Sequence, residues 1–140
     1  LNYLNISFML LLHSITKYYK YYLPTFPMTR KVLLDTNFIL TCIAQKIDFF
    51  EEFYLSGIKV IIPENVISEL EKLKKTAALK LLEKNEFKKI SLQGKNVDNS
   101  IVKFARENPE IIIATLDKEM RKKIKNKKVT IRSKKIIEII

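Results

Sequence analysis

Lys31-Val32-Leu33-Leu34-Asp35-Thr36-Asn37 reads as a short apolar strand that stops on a carboxylate. Val32, Leu33 and Leu34 form a run too short for a helix and apolar throughout, the pattern of a central strand covered on both faces. An acid at the end of such a strand has two readings. Asp is a favoured N-cap, so Asp35 suits the start of a following helix. In an open parallel sheet, chemistry also collects just beyond the carboxyl ends of strands, where the chain reverses direction across the sheet.

The pattern recurs outward from this stretch. Residues 58–62 form a second buried run that ends at Pro63, and residues 111–114 form a third. Residues 38–44 and 47–55 read as helices broken near Gln45 and Lys46, with Gly57 as a helix stop. Pro63 opens a helix through Leu73, on which Val66, Leu70 and Leu73 recur at helical spacing, and residues 76–82 give another. Residues 87–92 read as a short strand or extended piece. Asn96 reads as the N-cap of a helix that carries Val97, Ile101, Val102 and Ala105 inward. Residues 118–125 are a short helix, and residues 129–131 and 136–140 are two terminal strands or a strand and a tail. Strands alternating with helices imply an α/β fold, with a parallel sheet between two helical layers.

The 140 residues are enough for one domain with one core. Twenty-six Lys and Arg against 15 Asp and Glu give a net charge of +11, which points to a polyanionic partner, nucleic acid ahead of an anionic membrane. A solvated basic face is the plainer reading of the charge. Cys42 is the single Cys and sits in an apolar run, which makes it a small core residue and implies a reducing compartment, so a cytoplasmic location is expected. The only His is His13, and the only Gly are Gly57 and Gly94. From residue 28 onward there is no imidazole base, no Cys/His zinc set, no P-loop and no dinucleotide-binding glycine fingerprint. Carboxylates, hydroxyls, amides and cations are what remains for chemistry.

Residues 1–27 differ from the rest. They carry no acid, and Tyr18, Tyr19, Tyr21 and Tyr22 are spaced by Lys17 and Lys20. Their apolar run over residues 6–12 is about half the ~20 residues of a spanning helix, and they lack the basic start and small-residue cleavage site of a secretory signal. Met28 stands just before the first strand. The expectation is a non-native or disordered extension over residues 1–27 and a domain over residues 28–140, with translation starting at Met28; a native protein whose intact mass retains Leu1 would refute it. The Lys and Tyr cluster has a rival reading as a stacking platform for single strands. Losing Lys17 and Lys20 leaves a net charge of +9, so the argument for a nucleic-acid partner does not depend on this segment.

Four acids fall at element ends or on helix faces where they can converge: Asp35, Glu69, Asp98 and Asp117. Asp35 and Asp117 each follow an apolar strand and so emerge at one edge of a parallel sheet. Glu69 lies on the helix after the second strand, with Glu64 and Glu71 as alternatives. Asp98 is in the first turn of its helix, where the macrodipole alone favours a negative charge. Asp117 also suits the N-cap before Lys118, with Thr115 as a second local acceptor. Singly, each acid has a structural reading. Gathered together, carboxylates repel unless a cation neutralises them, and an all-oxygen set suits Mg²⁺ or Mn²⁺.

Val32-Leu33-Leu34-Asp35-Thr36-Asn37-Phe38-Ile39-Leu40, Ile62-Pro63-Glu64-Asn65-Val66-Ile67-Ser68-Glu69-Leu70, Val97-Asp98-Asn99-Ser100-Ile101-Val102 and the run from Ile113 to Ile124 resemble, in order, the successive motifs of PIN-domain ribonucleases. The resemblance implies a three-layer α/β/α PIN-like fold with a central parallel sheet of about five strands, and a Mg²⁺- or Mn²⁺-dependent endoribonuclease. It makes Asp35, Glu69, Asp98 and Asp117 the catalytic, metal-binding acids, Thr115 the hydroxyl that orients the pocket, and Asn37 the amide that braces it. The stretch after Asp117 is similar to the archaeal and eukaryotic rRNA-processing branch, more than to the toxins of toxin-antitoxin pairs. In one departure, the position beside the third acid, an acid in many relatives, is Asn99, which bears on whether one metal or two is held. The implied partner is RNA, a precursor rRNA first. The alternatives are a toxin ribonuclease held by an antitoxin, which an antitoxin gene next door would favour, and a non-catalytic RNA-binding module of ribosome assembly. Homodimerisation is left open.

Residues 118–135 contain ten Lys or Arg and one acid, Glu119. Met120 and Ile124, four apart, are expected to anchor this segment to the core and to leave Arg121, Lys122 and Lys125 outward as RNA phosphate contacts.

Overall fold

A computed structural model describes residues 30–133 and 136–140. The extension over residues 1–27, the start at Met28, and Lys134 and Lys135 of the basic run lie outside the described residues. The chain order is β1 (Arg30–Leu34), α1 (Thr36–Ala44), α2 (Phe49–Leu55), β2 (Ile58–Pro63), α3 (Glu64–Lys72), α4 (Thr76–Glu83), β3 (Lys88–Ile90), α5 (Val97–Glu107), β4 (Ile112–Ala114), α6 (Lys118–Lys122), β5 (Lys128–Arg132) and β6 (Ile136–Ile139).

The strands form one sheet in the order β3-β2-β1-β4-β5-β6, in which the first five strands run parallel and β6 pairs antiparallel with β5. The parallel sheet of about five strands expected from the sequence is therefore present, extended by a sixth to a mixed sheet. A backbone turn at Ser133, which has a φ of 51°, precedes this last strand.

β1 is central because Val32, Leu33 and Leu34 leave no solvent-facing side chain, each being fully buried. From β1 the chain crosses to β2 and β3 on one side, then returns past β1 to β4 on the other. The β1–β4 boundary is thus a topological switch point, the place where an open parallel sheet leaves a crevice at its carboxyl edge. With the right-handed crossovers of parallel sheets, the same reversal puts α5 on the face opposite α1 to α4.

The core gathers around three fully buried rings. Phe38 of α1 meets Phe49 edge-on at 5.9 Å and Phe53 at 6.2 Å, and Phe49 meets Phe50 at 4.7 Å. Cys42 is buried, as a core residue should be, and burial pushes its thiol up to about 12, which keeps it protonated and inert. The helical spacing of α3 holds for Val66 and Leu70 but not for Leu73, which is 51% exposed. Leu73 is the C-cap of α3, and Lys74 turns the chain away with a φ of 53°. Met120 and Ile124 are both buried, although α6 ends at Lys122 and Ile124 follows it. No helix among the described residues is long and apolar enough to cross a membrane.

Candidate active site

The β1–β4 ladder dictates which residues meet at the carboxyl edge. Leu33 stands opposite Ile113 and Leu34 opposite Ala114, and the Asp35 amide donates to the Ala114 carbonyl at 3.0 Å, one step past the end of β1. Asp35 and Thr115 are therefore neighbours across the switch point. The Thr115 hydroxyl donates to Asp35 Oδ2 at 2.9 Å, while Asp35 Oδ1 accepts the Thr36 amide at 2.8 Å and caps α1. Capping and site-building are one arrangement, since the cap fixes the rotamer and leaves the carboxylate at the sheet edge.

Asp117 follows the same logic from β4. Its amide donates to Thr115 Oγ1 at 3.2 Å, and its Oδ1 accepts the amides of Glu119 and Met120 at 2.9 and 3.2 Å, capping α6. Thr115, wholly buried, thus links the two strand-end acids, donating to one and accepting from the other.

Glu69 enters from α3. Its Oε2 accepts the Thr36 hydroxyl at 3.0 Å, so Glu69, Thr36, Asp35, Thr115 and Asp117 form one connected chain of polar groups. Thr36 was not among the residues singled out from the sequence. The available signal was a hydroxyl directly after the strand-end acid, but its partner lies 33 positions away. Asp98, in the first turn of α5, completes the set from the opposite face.

The acids sense one another. Burial pushes the Asp35 carboxyl up to about 6, helped by the charges of Asp98 and Glu69 and opposed by its bonds from Thr115 and Thr36. The Asp98 carboxyl is also raised, by partial burial first, then by Asp117 and Glu69, while Lys123 opposes the shift. Asp35, Glu69, Asp98 and Asp117 are thus near enough for their charges to act on one another. Among the described residues, however, no three His, Cys, Asp or Glu side chains are gathered closely enough to hold a metal ion. By donor chemistry the set fits a hard divalent cation, because every donor is a carboxylate oxygen and the mutual repulsion is what such a cation would relieve. Asn37 does not join this network: it is exposed on α1, and the bracing expected of it is supplied by Thr115 and Thr36. Asn99 is also exposed, its amide donating to the Asn96 cap at 3.1 Å.

Basic groups flank the acids. Arg121 is half-buried and donates through Nη1 to the Thr115 carbonyl at 3.3 Å, which ties α6 to the site. Lys122 is exposed, with a loose ion pair to Glu119 at 3.6 Å that contributes little. Lys125 lies exposed beyond the helix.

A family model described as PIN like domain matches residues 32–135. The chain is 30% identical over 125 residues to the Ribonuclease VapC4 of Methanocaldococcus jannaschii, a match that covers 78% of this chain and 95% of that protein. It is 33% identical over 101 residues to the rRNA-processing protein fcf1 of Schizosaccharomyces pombe, covering 67% of this chain and 53% of the other. Among solved structures, the PIN domain endonuclease Utp24 is similar with a TM-score of 0.69 at 28% identity, over 78% of this chain and 90% of that one.

Proposed function

Because the chain belongs to the PIN-like domain family, we propose that it is a divalent-metal-dependent endoribonuclease that hydrolyses phosphodiester bonds of structured RNA in the cytoplasm, with a precursor rRNA as substrate. The observation that carries this reading is that the charges of Asp35, Glu69, Asp98 and Asp117 act on one another about the carboxyl edge of the sheet, beside the β1–β4 switch point.

In this reading the four acids would hold Mg²⁺ or Mn²⁺, which would supply Lewis acidity toward a phosphoryl oxygen and toward the water that attacks the phosphorus. Thr36 and Thr115 fix the carboxylate oxygens of Glu69 and Asp35, so these side chains meet the substrate in one orientation. Arg121, Lys122 and Lys125 bind phosphates beside the site, setting register without reading sequence. Replacing Arg121 and Lys122 by Gln is expected to weaken RNA binding and to flatten its salt dependence by about 0.7 per lost phosphate contact, with an unchanged circular dichroism spectrum. An unchanged salt slope would remove both residues from the interface.

The test of the activity is cleavage of a mixed RNA pool with Mg²⁺, Mn²⁺ or EDTA, by the parent and by Asp35→Asn. Cleavage by the parent alone, blocked by EDTA, is the expected result. Equal cleavage by both proteins refutes the catalytic reading; binding without cleavage by either favours a ribosome-assembly module, the role to which Asn99 points. A toxin role is the second reading, favoured by the match to nearly the whole of a relative named Ribonuclease VapC4. It predicts growth arrest on expression of the chain, relieved by a co-expressed antitoxin.

A further inference from the structure

Glu69, alone of the four acids, lines a groove of about 410 Å³ between α3 and the 91–96 loop. One wall is α3, where Glu69 and Lys72 lie three residues apart on the same helical face, with Glu64, Asn65 and Ser68 beside them. The other wall is the loop, with Ser91 and Lys95, and it runs into Val97, next to Asp98. Each wall thus leads from an acid of the site to a lysine. Among the described residues neither Lys72 nor Lys95 has an ion-pair partner, so both charges are available to an anion.

The loop is a built wall. Ser100, buried on α5, places its hydroxyl 2.7 Å from the Gln93 carbonyl and 2.8 Å from that of Asn96, and its single proton is shared between them. Gly94 has a φ of +119°, and a Cβ there would stand 2.7 Å from Ser100 Oγ, so only glycine lets the loop close onto the helix. Lys95 follows directly, held between the groove and a second hollow of about 550 Å³ to which Lys103 contributes.

We propose that this groove seats a single-stranded segment of the RNA substrate next to the scissile bond, with Lys72 and Lys95 on its phosphates and Asn65 and Ser68 within reach of the sugar or base. The inference rests on the endoribonuclease reading and adds to it a path for the strand on the Glu69 side, away from the basic helix α6. The groove's volume falls in the range of small-ligand pockets, roughly 300–1,000 Å³, enough to hold one splayed nucleotide.

The test is fluorescence anisotropy with a labelled single-stranded RNA and a labelled duplex, over a series of salt concentrations in Mg²⁺, using Asp35→Asn throughout to prevent cleavage. Adding Lys72→Gln and Lys95→Gln is expected to lower the salt slope for the single strand by about 0.7 to 1.4, the release of one or two phosphate contacts. Lys72→Arg with Lys95→Arg restores the slope. Lys59→Gln with Lys127→Gln, exposed lysines at the amino edge of the sheet, removes the same charge and leaves the slope unchanged. The inference is overturned if the Lys72/Lys95 pair leaves the slope unchanged, if the control pair lowers it equally, or if only duplex binding responds. Failure of every protein to bind RNA overturns the nuclease reading along with it, an outcome distinct from all of these.

Discussion

Asp35→Asn is expected to abolish RNA cleavage and, in the same protein without metal, to raise its stability. Loss of an acid that helps hold the cation removes several kcal/mol of transition-state stabilisation, roughly 10³-fold in rate at 1.36 kcal/mol per tenfold. The stability gain follows from the Asp35 carboxyl, pushed up to about 6 from 3.8 chiefly by burial. A group with a raised folded-state pKa favours folding through its protonated form. That contribution is complete below pH 3.8 and is lost as pH rises through about 6, a penalty of roughly 3 kcal/mol at neutral pH. Asn escapes the penalty and still accepts the Thr36 amide, but it deprives the Thr115 hydroxyl of its acceptor, which costs about 1 kcal/mol. At pH 7 in EDTA the net gain is about 1–2 kcal/mol, or about 4–8 °C in Tm, and it vanishes near pH 4. A variant less stable than the parent at pH 7 would show that the acid is held by structure alone.

Phe38→Ala is expected to cost about 3–5 kcal/mol, the range for a large ring removed from a core that cannot collapse around the void. Phe38 is fully buried between Phe49 and Phe53, and it sits three residues after Asp35 on the helix whose first turn carries the site. Against a typical domain stability of roughly 5–15 kcal/mol, such a loss leaves little margin. Leu73→Ala is the contrasting variant: its side chain is half-exposed at the end of α3, and its change should stay within about 0.5 kcal/mol. Urea midpoints compare the two, and a Phe38→Ala shift below about 1 kcal/mol would contradict the packing described.

The sheet was legible because β1, β2 and β4 each carry an unbroken apolar run, Val32 to Leu34, Val60 to Ile62 and Ile112 to Ala114, which suits strands covered on both faces. The caps were legible for a local reason, since Asp35, Asn96 and Asp117 each bond amides within three residues. Two features were not. β6 turns back through Ser133, where no Gly, Pro or Asn marks a reversal, so a hairpin and a tail look alike in sequence. Leu73 continues the helical spacing of α3 one residue beyond the last turn, where spacing no longer fixes direction.

At the candidate site, position along the chain revealed which acids stand at strand ends but not what holds them. The pairing of Thr115 with Asp35 spans 80 positions and that of Thr36 with Glu69 spans 33, and both follow only once β1 lies beside β4 and α3 beside α1. Asn37 illustrates the converse. The family resemblance gave it a bracing role, yet two residues past Asp35 is more than half a helical turn, which carries its side chain outward. The conformation of the loop before α5 depends on Ser100 and Gly94 acting together, a coupling that neither residue type announces alone.

The central claim is that the facing acids share a divalent cation. Titration of the metal-free protein with Mn²⁺, followed by electron paramagnetic resonance of the free ion, tests it without reference to activity. The account predicts saturable Mn²⁺ binding by the parent, displaced by Mg²⁺, and binding at least about tenfold weaker in Asp35→Asn. Equal Mn²⁺ uptake by both proteins, or none by the parent, would contradict it.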